Sequence, residues 1–67
     1  MKIILNNRPE EFDAEKMTVR ELLQAKNFTF RLLVIKINKK LVKKDQYDTA
    51  EIHDSDEVIV HHMISGG

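Results

Sequence analysis

The sequence contains no cysteine and no tryptophan, only one proline, and only two glycines, which occupy its last two positions, Gly66 and Gly67. Without cysteine there is no disulfide framework and no thiolate metal ligand, a composition that suits a reducing cytoplasm. With no glycine before position 66 there is no glycine-rich loop to cradle a phosphate. Long apolar runs are also missing, since nothing approaches the roughly 18 residues of a membrane span. The opening Met1-Lys2-Ile3-Ile4-Leu5 runs at once into Asn6-Asn7, which is too short for a signal peptide. A soluble, cytoplasmic protein without membrane contact is expected. Net charge is lacking as well: eleven Lys and Arg offset eleven Asp and Glu, so no global field draws the chain to nucleic acid.

A chain of 67 residues makes one domain that buries only about 60% of its unfolded surface. It has no room for a deep active-site cavity, and apolar packing alone must hold the core. The balanced charge hides a local split. Residues 31 to 44 carry Arg31, Lys36, Lys39, Lys40, Lys43 and Lys44 with no acid, whereas residues 45 to 57 carry Asp45, Asp48, Glu51, Asp54, Asp56 and Glu57 with no Lys or Arg. One edge is expected to be basic and the next acidic.

Ile3, Ile4 and Leu5 form a β-prone run that ends at Asn6-Asn7-Arg8-Pro9, where asparagine tolerates positive φ and proline withholds a ladder donor. A hairpin returning through Glu10 to Phe12, with Phe12 inward, is predicted. Thr18 and Glu21 make a capping box, with Met17 and Leu22 placed as a hydrophobic staple. Val19, Leu22 and Leu23 recur at helical spacing, and Lys26-Asn27 supplies a stop, so a helix from Val19 to about Lys26 is predicted. Phe28 and Phe30 are expected to cover its end. Leu32 to Ile37 is apolar on both faces and reads as a central strand, with Leu33, Ile35 and Ile37 on one side and Leu32 and Val34 on the other. Asn38-Lys39-Lys40 turns into a short strand at Leu41-Val42, and a polar loop holding Tyr47 and Ile52 follows. Asp54-Ser55-Asp56 is a second turn, and Val58 to His62 is the last strand.

The order is strand, strand, helix, strand, strand, strand. A first and last strand rich in Ile or Val, paired in the middle of a mixed sheet on one helix, is the β-grasp arrangement. The expected fold class is therefore α+β, a β-grasp of four to five strands packed on one helix. Residues 1–62 would form the domain and 63–67 a flexible tail continuing the central strand.

Three histidines raise the question of a metal. His61 and His62 are adjacent in a strand and project to opposite faces, and His53 lies elsewhere, so a metal site is not expected. No hydroxyl, histidine and carboxylate are arranged for nucleophilic catalysis, so the chain is not expected to be an enzyme. The lysine stretch lacks an RNA-binding aromatic signature and flanks a hairpin turn, where lysine commonly guards an edge. Leu32, Val34, Ile59 and His61 fall on the sheet face turned from the helix and form a candidate protein-docking surface. The ending is the most informative segment: Gly66 and Gly67, without Cβ, make a thin, pliable strand able to enter a narrow cleft and present a terminal carboxylate to another protein's active site.

Leu5-Asn6-Asn7-Arg8-Pro9-Glu10, Thr18-Val19-x-Glu21-Leu22-Leu23, Lys26-Asn27-Phe28, Ile37-Asn38 with Leu41-Val42, Asp56-Glu57-Val58-x-Val60 and the Ser65-Gly66-Gly67 ending together resemble the family of thiamine-biosynthesis sulfur carriers, the ThiS family. The resemblance spans nearly the whole chain. It departs at Ser55, where the family often has glycine. What it implies is a ubiquitin-like β-grasp whose Gly67 carboxylate is adenylated by a partner and converted to a thiocarboxylate, with Gly67 as the covalent carrier, Gly66 giving access, and Ser65, Ile64 and Met63 lining the entrance channel. A carboxylate with a pKa of about 3.5 is ionised at neutral pH and is a poor acyl donor until activated. The implied partners are an adenylyltransferase of the ubiquitin-activating type, a persulfide donor such as a cysteine desulfurase, and thiazole synthase. ATP and Mg²⁺ would belong to the adenylating partner, and this chain would bind no cofactor. The small subunit of molybdopterin synthase, with the same thiocarboxylate chemistry, is an alternative. A ubiquitin-like modifier amide-linked to target lysines is a second, and a purely structural interaction domain a third.

Overall fold

The computed structural model describes residues 1–29 and 32–63; Phe30, Arg31 and the tail positions Ile64, Ser65, Gly66 and Gly67 lie outside the described residues. Seven strands and one α-helix are described: β1 (Lys2–Leu5), β2 (Arg8–Glu11), β3 (Lys16–Thr18), α1 (Val19–Ala25), β4 (Leu33–Ile37), β5 (Lys40–Val42), β6 (Glu51–His53) and β7 (Glu57–His62). Five of the strands make one sheet in the order β2-β1-β7-β4-β5, and β3 pairs with β6 in a separate two-stranded ribbon. The first and last strands run parallel side by side, with Leu5 opposite Val58. Every other pairing is antiparallel. This is the mixed, helix-backed β-grasp sheet that the element order predicts.

Helix α1 begins where its sequence directs. The Thr18 hydroxyl accepts from the Glu21 N–H at 3.1 Å, and the Glu21 carboxylate accepts from the Thr18 N–H at 2.8 Å, so the reciprocal cap is complete. The next two N–H groups are satisfied from the loop before β6: Val19 donates to the Ala50 carbonyl and Arg20 to that of Tyr47. At the other end Asn27 takes φ 57°, a conformation that asparagine tolerates, and stops the helix. Phe28 packs against the core, as expected. The Lys26 ammonium pairs with Glu10 on β2, tying the end of the helix to the sheet edge.

The core is one cluster. Ile3, Leu5, Ile35, Val42, Val58 and Val60 from the sheet meet Val19, Leu22 and Leu23 from α1, and Tyr47 and Ile52 close it from the segment after β5. The buried residues alternate along each strand with exposed or half-buried ones, the period of two that places one face on a core.

Three details depart from the sequence reading. Strands β3 and β6 replace what reads as loop, and Lys44–Gln46 forms a 3-10 turn before Tyr47. Tyr47 itself is buried rather than part of an open polar loop, with the Arg20 guanidinium 5.6 Å above its ring. Pro9 lies inside β2, opposite Ile4. The Ile4 N–H donates the other way, to the Asp56 carbonyl, so Pro9 occupies a non-hydrogen-bonded pair on an edge strand, where its missing N–H costs no ladder bond.

The turns are built from positive φ. Asn6 and Asn7 (φ 51° and 66°), Asn38 and Lys39 (φ 50° and 73°) and Ser55 (φ 73°) all adopt it. Asparagine accommodates this region; lysine and serine do so at the cost of Cβ crowding, of order 1 kcal/mol. Ser55→Gly is therefore expected to raise stability by about 1 kcal/mol, moving the thermal midpoint by roughly 4–8 °C. Lys39→Gly should do the same, and a midpoint unchanged in both variants would contradict the account of these turns.

The Ser55 turn is also fastened by its neighbours. The Asp54 carboxylate accepts the Lys2 N–H at 2.7 Å, and this bond, chief among the causes, holds the Asp54 pKa below its ordinary value; Ser55 and the N-terminal charge lower it further. A carboxylate whose pKa is depressed on folding contributes stability that is full above its unfolded value, about 3.9, and is lost as pH falls through the lower folded value. Comparing Asp54→Asn with the native chain, the stability gap should be present at neutral pH and close in that acid range.

Candidate functional site

Strand β7 is the middle strand of the sheet and leads to the tail. On one side β1 accompanies it through Val58, and the Asn6 N–H donates to the Val58 carbonyl at 2.9 Å. The chain of β1 then turns away, but Asn6 extends its hold by one more step: its side-chain oxygen accepts the Val60 N–H at 2.8 Å. On the other side β4 stays in register to Leu33 opposite His62, and the Met63 N–H donates to the Leu32 carbonyl at 3.0 Å. Met63 therefore leaves from a fixed point at the end of the sheet opposite the Asn38 and Ser55 turns. Four further residues, Ile64 to Gly67, complete the sequence.

Asn6 was read only as a turn former. Its second role follows from a contact 54 residues distant in sequence, for which local pattern gives no signal. Asn6→Gly keeps the turn conformation and removes the bond to Val60, which should cost about 1 kcal/mol. Asn6→Ala loses both and should cost about 2 kcal/mol. Amide exchange at Val60 checks this, and should accelerate in both variants.

The face turned from the helix carries the predicted docking residues. Val34 and Ile59 are half-buried and His61 is exposed, while Leu32 is 50% and Met63 48% exposed. The register sets Val34 opposite His61 and Lys36 opposite Ile59, so these residues are brought together on one surface. Ile4 (39% exposed) and Leu41 (58% exposed) join them, and sequence reading passed over both. The period-two rule marks them: Ile4 sits between buried Ile3 and Leu5, and Leu41 precedes buried Val42. Lys36, between Leu41 and Ile59 in the register, stands among these apolar side chains.

Among the described residues no buried side chain is polar or charged. No three His, Cys, Asp or Glu side chains in that set come together as a metal-holding group, and no helix is long and apolar enough to cross a membrane.

Comparison with known proteins agrees with this geometry. The sequence profile of the ThiS family matches residues 3–67. The sulfur carrier protein ThiS of Bacillus subtilis is 24% identical over 63 residues, spanning 94% of this chain and 96% of that protein. The crystal structure of the thiamine biosynthesis protein ThiS from Geobacter metallireducens superposes with a TM-score of 0.89 at 26% identity, covering 100% of both chains. The solution structure of a thiamine biosynthesis protein from the same organism gives a TM-score of 0.80, again at 26% identity, over 100% of this chain and 88% of that one. Whole-length sequence match and shared β-grasp architecture place this chain in the ThiS family.

Proposed function

We propose that this protein is a cytoplasmic sulfur carrier for thiazole formation in thiamine biosynthesis, loaded and unloaded at the Gly67 carboxylate. The observation that carries the reading is that the family match runs through the diglycine to residue 67, five positions in sequence after His62, where the strand that Asn6 and β4 hold in place ends. The naming of the Bacillus subtilis relative as a sulfur carrier supports it.

The chemistry follows from the weakness of a carboxylate as an acyl donor. An adenylyltransferase of the ubiquitin-activating type, holding ATP and Mg²⁺, joins the Gly67 carboxylate to AMP and releases pyrophosphate. The terminal sulfur of a persulfide, supplied by a donor such as a cysteine desulfurase, attacks the acyl carbon and expels AMP. A thiol then cleaves the sulfur–sulfur bond, leaving a thiocarboxylate on Gly67. Thiazole synthase takes the sulfur into its substrate in exchange for an oxygen from water or from that substrate, and the carboxylate returns. Gly66 lets the chain pass a narrow entrance because it has no Cβ, and Ser65, Ile64 and Met63 line that entrance. The face of Leu32, Val34, Ile59 and His61 docks on the partners. The chain contributes the acyl group and the docking surface, and the catalytic groups, nucleotide and metal belong to the partner.

Expression in strains lacking either the thiamine sulfur carrier or the small subunit of molybdopterin synthase tests this reading. Growth without thiamine should be restored in the first strain. Restoration of molybdenum-cofactor activity in the second, with none in the first, would overturn it.

A further inference from the structure

The neutral net charge conceals a division of labour between acids and bases. Most acids of the described surface are occupied inside the fold. Glu10 pairs with Lys26, Asp48 with Arg20 at 3.1 Å, and Glu51 with Lys16 at 3.2 Å. Asp54 accepts from the Lys2 N–H, while Asp56 accepts from the His53 N–H and from the Asn38 amide. Glu21 is consumed by the helix cap. The lysines at 36, 39, 40, 43 and 44 are all exposed, and among the described residues none of their ammonium groups has a carboxylate partner. They lie together on the β4–β5 hairpin and its exit.

Guarding a sheet edge accounts for only part of this set. Lysine on an edge strand discourages strand pairing, and Lys40 on β5 fits that role. Lys36 is on β4, an interior strand, and its register partners are Ile59 on β7 and Leu41 on β5. It therefore rises from the middle of the apolar face. Strand β5 is antiparallel to β4, and β4 to β7, so β5 points the same way as β7. Lys43 and Lys44 consequently follow β5 toward the end of the sheet from which Met63 leaves.

We propose that this lysine border is an electrostatic docking edge for an acidic strip of protein lying beside the active site that receives the tail. This deepens the carrier reading and rests on it: the occupant is the adenylating partner, recognised by carboxylates facing β5 and by an apolar seat for Leu41 and Ile59. Nucleic acid is the poorer match. Single-strand binders combine basic charge with aromatic stacking platforms; among the described residues Tyr47 is buried, and Phe12 and Phe28 pack on the core. What borders the lysines is aliphatic surface. Charge at the rim of an interface acts mainly on encounter rate and salt sensitivity, and the apolar centre supplies residence.

The test is ATP–pyrophosphate exchange by the purified adenylyltransferase of the same organism, with the full chain as varied substrate. The quadruple variant K36E/K40E/K43E/K44E leaves the capped helix and the core untouched and should melt close to the native chain. Its KM should rise by about tenfold or more at low salt, within the range by which charge steering changes encounter rates, with kcat unchanged. The KM of the native chain should climb between about 0.05 and 0.5 M salt, over which screening shortens from well beyond a contact to within one, and that of the variant should not. Leu41→Asp should raise KM at every salt concentration. An equal KM for native and quadruple-variant chains overturns the inference while leaving the carrier reading intact. No exchange with the native chain removes the carrier reading and this inference with it. Salt-sensitive capture of a single-stranded oligonucleotide that the quadruple variant loses, with adenylation unaffected, would show that the edge serves nucleic acid and would also overturn it.

Discussion

Deleting Gly67, or adding one alanine after it, is expected to abolish adenylation while leaving the melting curve of the domain unchanged. The reacting atom is the terminal carbonyl carbon, and its placement against the α-phosphate of ATP is set by how far the chain reaches from Met63, whose N–H donates to the Leu32 carbonyl. One residue extends the chain by up to about 3.5 Å. A displacement of roughly 1 Å at a reacting centre already costs on the order of a hundredfold in rate, so a whole residue should reduce pyrophosphate exchange by more than that. Among the described residues the buried core runs from Ile3 to Val60, and stability should not follow activity down. Gly66→Val should fall between these cases, retaining the length but narrowing passage through the entrance. A chain with an added residue that is adenylated at the native rate would contradict the assignment of Gly67.

The largest loss of stability is expected at Ile35. This residue is fully buried on β4, faces Val42 on one side and Val60 on the other, and belongs to the cluster that α1 covers. Ile35→Ala removes three carbons from the middle of the core and leaves a cavity, at a cost of about 2–5 kcal/mol. A 67-residue domain has a total stability of roughly 3–10 kcal/mol, so the variant loses a large share of it. The thermal midpoint should fall by at least about 10 °C. Leu41→Ala, on the same hairpin but exposed, should move the midpoint by no more than about 0.5 kcal/mol equivalent. Because Leu41 belongs to the proposed docking face, its effect should instead be on the KM for adenylation. The two variants separate what holds the fold from what the fold presents.

The elements that sequence made legible are those whose information is local. Thr18 and Glu21 are three residues apart and specify the start of α1 by themselves. Asn6-Asn7 and Asn38-Lys39 mark turns, and Asp54-Ser55-Asp56 marks another, in which Ser55 takes a positive φ. The alternation of Val58, Ile59 and Val60 identified the last strand. Strands β3 and β6 were hidden because each is three residues long with one apolar side chain, Met17 and Ile52. Three residues are too few for alternation to register. Their pairing joins segments more than thirty residues apart and gains a Lys16–Glu51 ion pair that no short window contains.

The same rule separates the residues of the outer sheet face that the sequence picks out from those it does not. Val34 and Ile59 stood in long apolar strands, where the unburied face is conspicuous. Ile4 and Leu41 lie in short runs beside hairpin turns, and their exposure depends on which neighbours the sheet order supplies. The latch between Asn6 and Val60 and the idle lysines of the β4–β5 hairpin belong to tertiary structure in the same sense. A lysine is recognised as available only once the acids have been assigned to other partners.

Intact-mass measurement of the chain after incubation with ATP, the adenylating partner and a persulfide donor tests the central claim most directly. The account predicts a product heavier by the difference between one sulfur and one oxygen atom, with fragmentation placing the exchange at Gly67. A chain that keeps its original mass while the enzyme turns over ATP, or one recovered only as amide-linked conjugates on other proteins, would contradict it.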